Sequence, residues 1–124
     1  AVCCVPLATP VYDNLLWSDE FETPGPVNAS KWFHQTQLPA GGVGLMEIVA
    51  FTNRIENSFV ENGNLNIVAI KESFTDQGET KQYTSARLNS KFAFTYGRVD
   101  VRAKLPAWDG TWPAIWTLGK NINE

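Results

Sequence analysis

The segment Val99-Asp100-Val101-Arg102-Ala103-Lys104-Leu105 constrains the fold most, because apolar and charged residues alternate at every position. Successive side chains of a strand point to opposite faces, so this order makes one dry face and one wet face. The helical period would scatter the same residues around an axis. Phe92, Phe94 and Tyr96 carry a similar alternation just upstream, and residues 106–110, with Pro106 and Gly110, turn the chain. Trp112-Pro113-Ala114-Ile115-Trp116-Thr117-Leu118 then reads as a last strand.

The remainder of the chain is consistent with this reading. Ser58-Phe59-Val60 and Leu65-Asn66-Ile67-Val68-Ala69-Ile70 flank Glu61-Asn62-Gly63-Asn64, and Asn-Gly supplies the positive φ angles of a tight hairpin. Asp76-Gln77-Gly78 forms a loop, and residues 83–88 form another strand. Thr23-Pro24-Gly25-Pro26 and Pro39-Ala40-Gly41-Gly42 are turns. Few segments hold a helical period. Short strands at roughly ten-residue spacing predict an all-β, antiparallel sandwich of jelly-roll type. Residues 1–12, with Pro6 and Pro10, read as an extended lead-in, and residues 13–124 as the domain.

Composition removes several functions. A net charge of −3 argues against a nucleic-acid surface, and no run of apolar residues is long enough to span a bilayer as a helix. The one histidine, His34, makes a His-based metal site or a Ser-His-Asp set a poor expectation and reads as a surface or rim residue. Cys3 and Cys4 are adjacent, so a bridge between them would be strained, whereas a bridge between chains would not. Residues 1–5 lack the charged start and apolar core of a signal peptide. Asn28-Ala29-Ser30 fits the N-glycosylation sequon, which matters only in a eukaryotic secretory host.

Six strings, in order, carry a resemblance. They are Leu16-Trp17-Ser18-Asp19-Glu20-Phe21, Asn28-Ala29-Ser30-Lys31-Trp32, Thr52-Asn53-Arg54 with Val60-Glu61-Asn62-Gly63-Asn64-Leu65, Tyr83-Thr84-Ser85-Ala86-Arg87-Leu88, residues 96–106, and Gly110-Thr111-Trp112-Pro113-Ala114-Ile115-Trp116. Together they resemble the laminarinase branch of glycoside hydrolase family 16, whose members cut β-1,3-glucans. The resemblance implies a curved jelly roll with a concave substrate cleft, in an extracellular or periplasmic protein. It also implies retaining hydrolysis, which needs a nucleophilic carboxylate and an acid/base carboxylate about 5 Å apart. The family carries both in a Glu-x-Asp-x-x-Glu motif after the 112–118 strand. No such string occurs here, and Asp19, Glu20, Glu47, Glu56, Glu61 and Glu72 do not recreate it. The expectation is half of a family jelly roll, inactive alone. The competing readings are a part of an active β-1,3-glucanase and a non-catalytic glucan-binding module.

One segment departs from the family. Where paired Asn, Gln and Tyr are usual, this chain has Leu45, Met46, Val49 and Phe51. Residues 45–51 are apolar apart from Glu47, so both faces of a strand there would want cover. The expected cover is a second copy of the chain, a homodimer through the 45–51 face. Redesign of a natural half-domain would leave the same pattern.

The resemblance also carries site residues. Trp112 and Trp116 match aromatic positions near the sugar cleft, where ring faces stack on pyranose C–H groups. Arg87 matches an arginine lining that cleft, and Glu47 matches the glutamate of the altered strand, where burial would call for a cation such as Arg87. The family often holds a structural Ca²⁺, for which Glu20 and the Gly63 carbonyl match ligand positions. Ca²⁺ takes six to eight oxygens, so these two alone do not make a site. Arg98 and Arg102 read as solvated.

Overall fold

A computed structural model describes residues 8–37 and 48–121. Cys3, Cys4, the 39–42 turn, Leu45, Met46 and Glu47 lie outside the described residues. Seven short strands follow one another, with no helix among the described residues: β1 (Trp32–His34), β2 (Val49–Phe51), β3 (Ser58–Glu61), β4 (Asn64–Ile67), β5 (Ile70–Asp76), β6 (Glu79–Ser85) and β7 (Leu88–Ser90). The all-β expectation holds.

Local chemistry explains the hairpins. β3 and β4 pair antiparallel, with Glu61 opposite Asn64 across Asn62 and Gly63. Those two residues have φ of 52° and 73°, the left-handed pair that a two-residue hairpin of this twist requires. β5 and β6 repeat the device with Gln77 and Gly78, at 52° and 82°. A bulge between Lys71 and Phe74 bends β5 against its neighbour.

Longer connections set the rest. β1 pairs antiparallel with β7, placing Trp32 opposite Ser90. β2 pairs parallel with β6, with Ala50 beside Thr84. This parallel pair was not legible from the sequence; β3, β4 and β5 form the crossover that parallel neighbours need. Gly25 bridges Val60 through two backbone hydrogen bonds of 2.9 and 2.7 Å.

Residues 15–21 pack without forming a strand. Trp17 meets the Trp32 ring edge-on at 5.3 Å and stacks near Phe92 at 6.0 Å. Asp19 accepts the Trp32 indole N–H at 2.8 Å and the Phe21 backbone N–H at 3.1 Å. Trp17 and Asp19 with their aromatic neighbours therefore hold this segment without a ladder.

The expected strands at 92–96, 99–105 and 112–118 are also absent as ladders. The alternation is real, but a strand exists only when a neighbour takes its N–H and C=O groups. No described strand pairs with these segments. Val99, Val101 and Leu105 remain more than half exposed. The buried apolar core among the described residues is correspondingly small: Val27, Ala50, Val60 and Ala86. The chain's accessible surface is 10672 Å². A self-contained monomer of 13.8 kDa has roughly 6,600 Å².

Candidate functional site

The site is built on the segment leaving β6. Ala86 is buried, and Ser85 and Arg87 on either side of it are half-buried. Thr52 N–H donates to the Ser85 carbonyl at 2.9 Å, and Gln35 N–H donates to the Arg87 carbonyl at 2.9 Å. These bonds fix the backbone on both sides of Ala86. The Arg87 side chain then reaches Trp116, its guanidinium carbon 4.9 Å from the ring centroid. A cation over an indole face is attracted by the ring quadrupole.

Trp112 stands almost fully in solvent, and Trp116 is 57% exposed. Trp112 and Trp116 stand four residues apart, a spacing that would put them on one face of a strand. The 112–118 segment has no ladder here, so that shared face is not enforced by pairing. The structure brings Arg87 and Trp116 together and leaves Trp112 outside that contact. Glu47 lies outside the described residues.

A polar cluster joins β5, β6 and the 52–57 turn, and sequence reasoning missed it. Asn57 and Thr84 are fully buried. Thr84 Oγ1 donates to Glu72 Oε1 and accepts from Asn57 Nδ2 at 3.0 Å and from Arg54 Nη2 at 3.2 Å. Asn57 Nδ2 also donates to the Val68 carbonyl at 3.1 Å, while its Oδ1 accepts from Thr52 Oγ1 and from Arg54 Nη2. Arg54 pairs with Glu72 and lies over Phe74, 4.7 Å from the centroid. The Thr84 hydroxyl and the Arg54 guanidinium hold the Glu72 carboxyl below its ordinary value of 4.5, against an opposing effect of burial. These residues are distant in sequence. The only signal available in the chain is polar residues at inward positions of β5 and β6.

A cleft of about 290 Å³ opens beside the cluster, lined in part by Phe51, Arg54, Phe74 and Asp76. His34 lies on β1, opposite Leu88. Its Nε2 sits 2.6 Å from Ser58 Oγ, and burial pushes its pKa below 6.5. Ser58 is buried, which denies it the access a nucleophile needs.

The expected metal residues do not form a cation site by themselves. Glu20 and Gly63 are both exposed. No three His, Cys, Asp or Glu side chains come together among the described residues. A Ca²⁺ shell of six to eight oxygens needs more than this pair provides. Arg98 is exposed, as expected, and pairs with Asp100 at 2.8 Å.

Comparison with known proteins decides the family. The model for glycosyl hydrolases family 16 matches residues 48–124, more than half of the chain. The chain belongs to glycosyl hydrolase family 16. This family 16 member is 41% identical over 119 residues to glucan endo-1,3-beta-glucosidase A1 of Niallia circulans, covering 87% of the chain and 17% of that protein. It is 44% identical over 107 residues to a beta-glucanase of Rhodothermus marinus, covering 84% of the chain and 35% of the relative. The family 16 chain thus spans about a third or less of these relatives' lengths. A crystal structure of LamA from Zobellia galactanivorans in complex with laminaritriose and laminaritetraose superposes with a TM-score of 0.67 at 53% identity, covering 70% of this chain and 36% of that one. Such neighbours are β-jelly-roll sandwiches, in agreement with the expected fold class. Among the described residues, no helix is long and apolar enough to cross a membrane.

Proposed function

We propose that this chain is part of a retaining endo-1,3-β-glucanase domain, and that Trp112, Trp116 and Arg87 contribute to its grip on the glucan. The Arg87–Trp116 contact carries the reading: an exposed aromatic face with a cation on it suits a neutral sugar ring rimmed by hydroxyls. The two carboxylates of the reaction come from polypeptide beyond this sequence, because no Glu-x-Asp-x-x-Glu string occurs in it. Alone, the chain does not hydrolyse glucan. The setting is extracellular, as the substrate is a polysaccharide. Any Ca²⁺ on Glu20 and the Gly63 carbonyl draws its other oxygens from elsewhere.

The test is reducing-sugar release from laminarin. The chain alone is expected to release none. Combined with the complementary carboxyl-terminal part of a similar endo-1,3-β-glucanase, it is expected to release sugar. A folded complex that stays inactive would count against the reading.

A second reading is favoured by the accessible surface, some 4,000 Å² above that of a self-contained monomer of this mass. Obligate homodimers bury about 2,000–5,000 Å² summed over both copies, so a second copy would cover part of that excess. A second copy of the chain would cover the exposed apolar segments, including Ile48 beside the 45–47 region. This inactive dimer gives a solution mass of twice 13.8 kDa, whereas a folded monomer would exclude it.

A further inference from the structure

We propose that Thr84 is a positioning residue, whose buried hydroxyl sets where Arg87 lies on the Trp116 ring. A threonine hydroxyl has one proton to donate and two lone pairs. Here all three are used, on Glu72, Asn57 and Arg54. Glu72 belongs to β5, and Arg54 and Asn57 to the turn after β2, so one oxygen ties two other pieces of chain to β6. Asn57 extends the tie to Thr52. The Thr52 backbone N–H in turn grips the Ser85 carbonyl. Both the start of the 84–87 segment and its next residue are thus fixed from the buried side. Arg87 is three residues along, with its own carbonyl held by Gln35.

A buried polar network has few alternative arrangements, since each lost bond leaves another group unsatisfied. The cluster therefore transmits a position instead of merely adding stability. The functional meaning of this inference rests on the glucan reading of Arg87 and Trp116; the geometry does not.

Thr84→Val removes the hydroxyl at nearly constant volume, and Thr84→Ser restores it. The Arg87 Nε–H proton shift by NMR reports the ring current of Trp116, with Trp116→Leu as the reference for a lost stack. Thr84→Val is expected to move the Arg87 signal to the Trp116→Leu value, and Thr84→Ser to return it. Affinity for laminarihexaose should weaken by about tenfold in Thr84→Val, the size of one sugar hydrogen bond lost from a displaced Arg87 guanidinium. A folded Thr84→Val chain that keeps the wild-type Arg87 shift overturns the proposal. Should Thr84→Val not fold, Glu72→Gln, which keeps the side-chain size, is read against the same reference and decides it. If the wild-type chain binds no laminarihexaose, the glucan reading fails, while the Arg87 shift still decides the positioning role.

Discussion

His34 shows how a single side chain can couple this fold to pH. Its ring bridges two sheets, sitting on β1 and touching Ser58 at the start of β3. Burial holds its folded pKa below 6.5, so the native state prefers the neutral ring. The associated stability is present above 6.5 and is lost as pH falls through the folded value. Thermal unfolding followed between about pH 7.5 and 5 should show the midpoint falling on the acid side, with a flatter profile in His34→Gln. Glu72 acts lower on the scale. Its depressed carboxyl contributes above 4.5 and ceases to do so as pH falls through its folded value, so Glu72→Gln should blunt acid unfolding there. Trp112 makes the opposite prediction. It is 93% exposed, so Trp112→Ala should leave stability within about 0.5 kcal/mol while weakening laminari-oligosaccharide binding in a calorimetric titration.

Among elements, the β3–β4 hairpin can be tested most directly. Gly63 has φ of 73°, and no atom lies within 4 Å of the point where a Cβ would stand, so a side chain there meets backbone strain and no clash. Gly63→Ala should destabilise by about 1–2 kcal/mol, read by denaturant midpoint with an unchanged slope. This hairpin was legible because its turn chemistry is local. So was the 83–88 strand in large part, which the structure breaks into β6 and β7 around Ala86 and Arg87. The β2–β6 parallel pair was not legible, since nothing in Val49, Ala50 and Phe51 specifies a partner beginning at Tyr83. Residues 99–105 failed for a different reason. Their alternation states that one face is to be buried, but pairing depends on a neighbour that the alternation does not name. The site divides the same way. Arg87 and Trp116 were found through their strings, whereas Asn57, Glu72 and Thr84 emerge only after folding brings them together.

For the whole molecule, surface area outweighs any single contact. Covering the apolar part of the excess removes that surface from water, which is favourable. The chain should therefore be more stable when covered than alone. Light scattering with reductant present measures whether a second copy does the covering. Thermal unfolding with and without the complementary part of a similar endo-1,3-β-glucanase measures the other case, with a rise in midpoint expected on addition. The β1–β7 pair also bears on synthesis. Trp32 and Ser90 are partners roughly 58 residues apart, and a ribosome adds about 5–20 residues per second. β1 thus emerges roughly 3–12 s before its partner exists. During that interval the Trp17–Trp32 edge contact can form, while the Phe92 side of the cluster has yet to be made. The nascent chain would spend those seconds with a tryptophan-rich edge still lacking the neighbour that completes it.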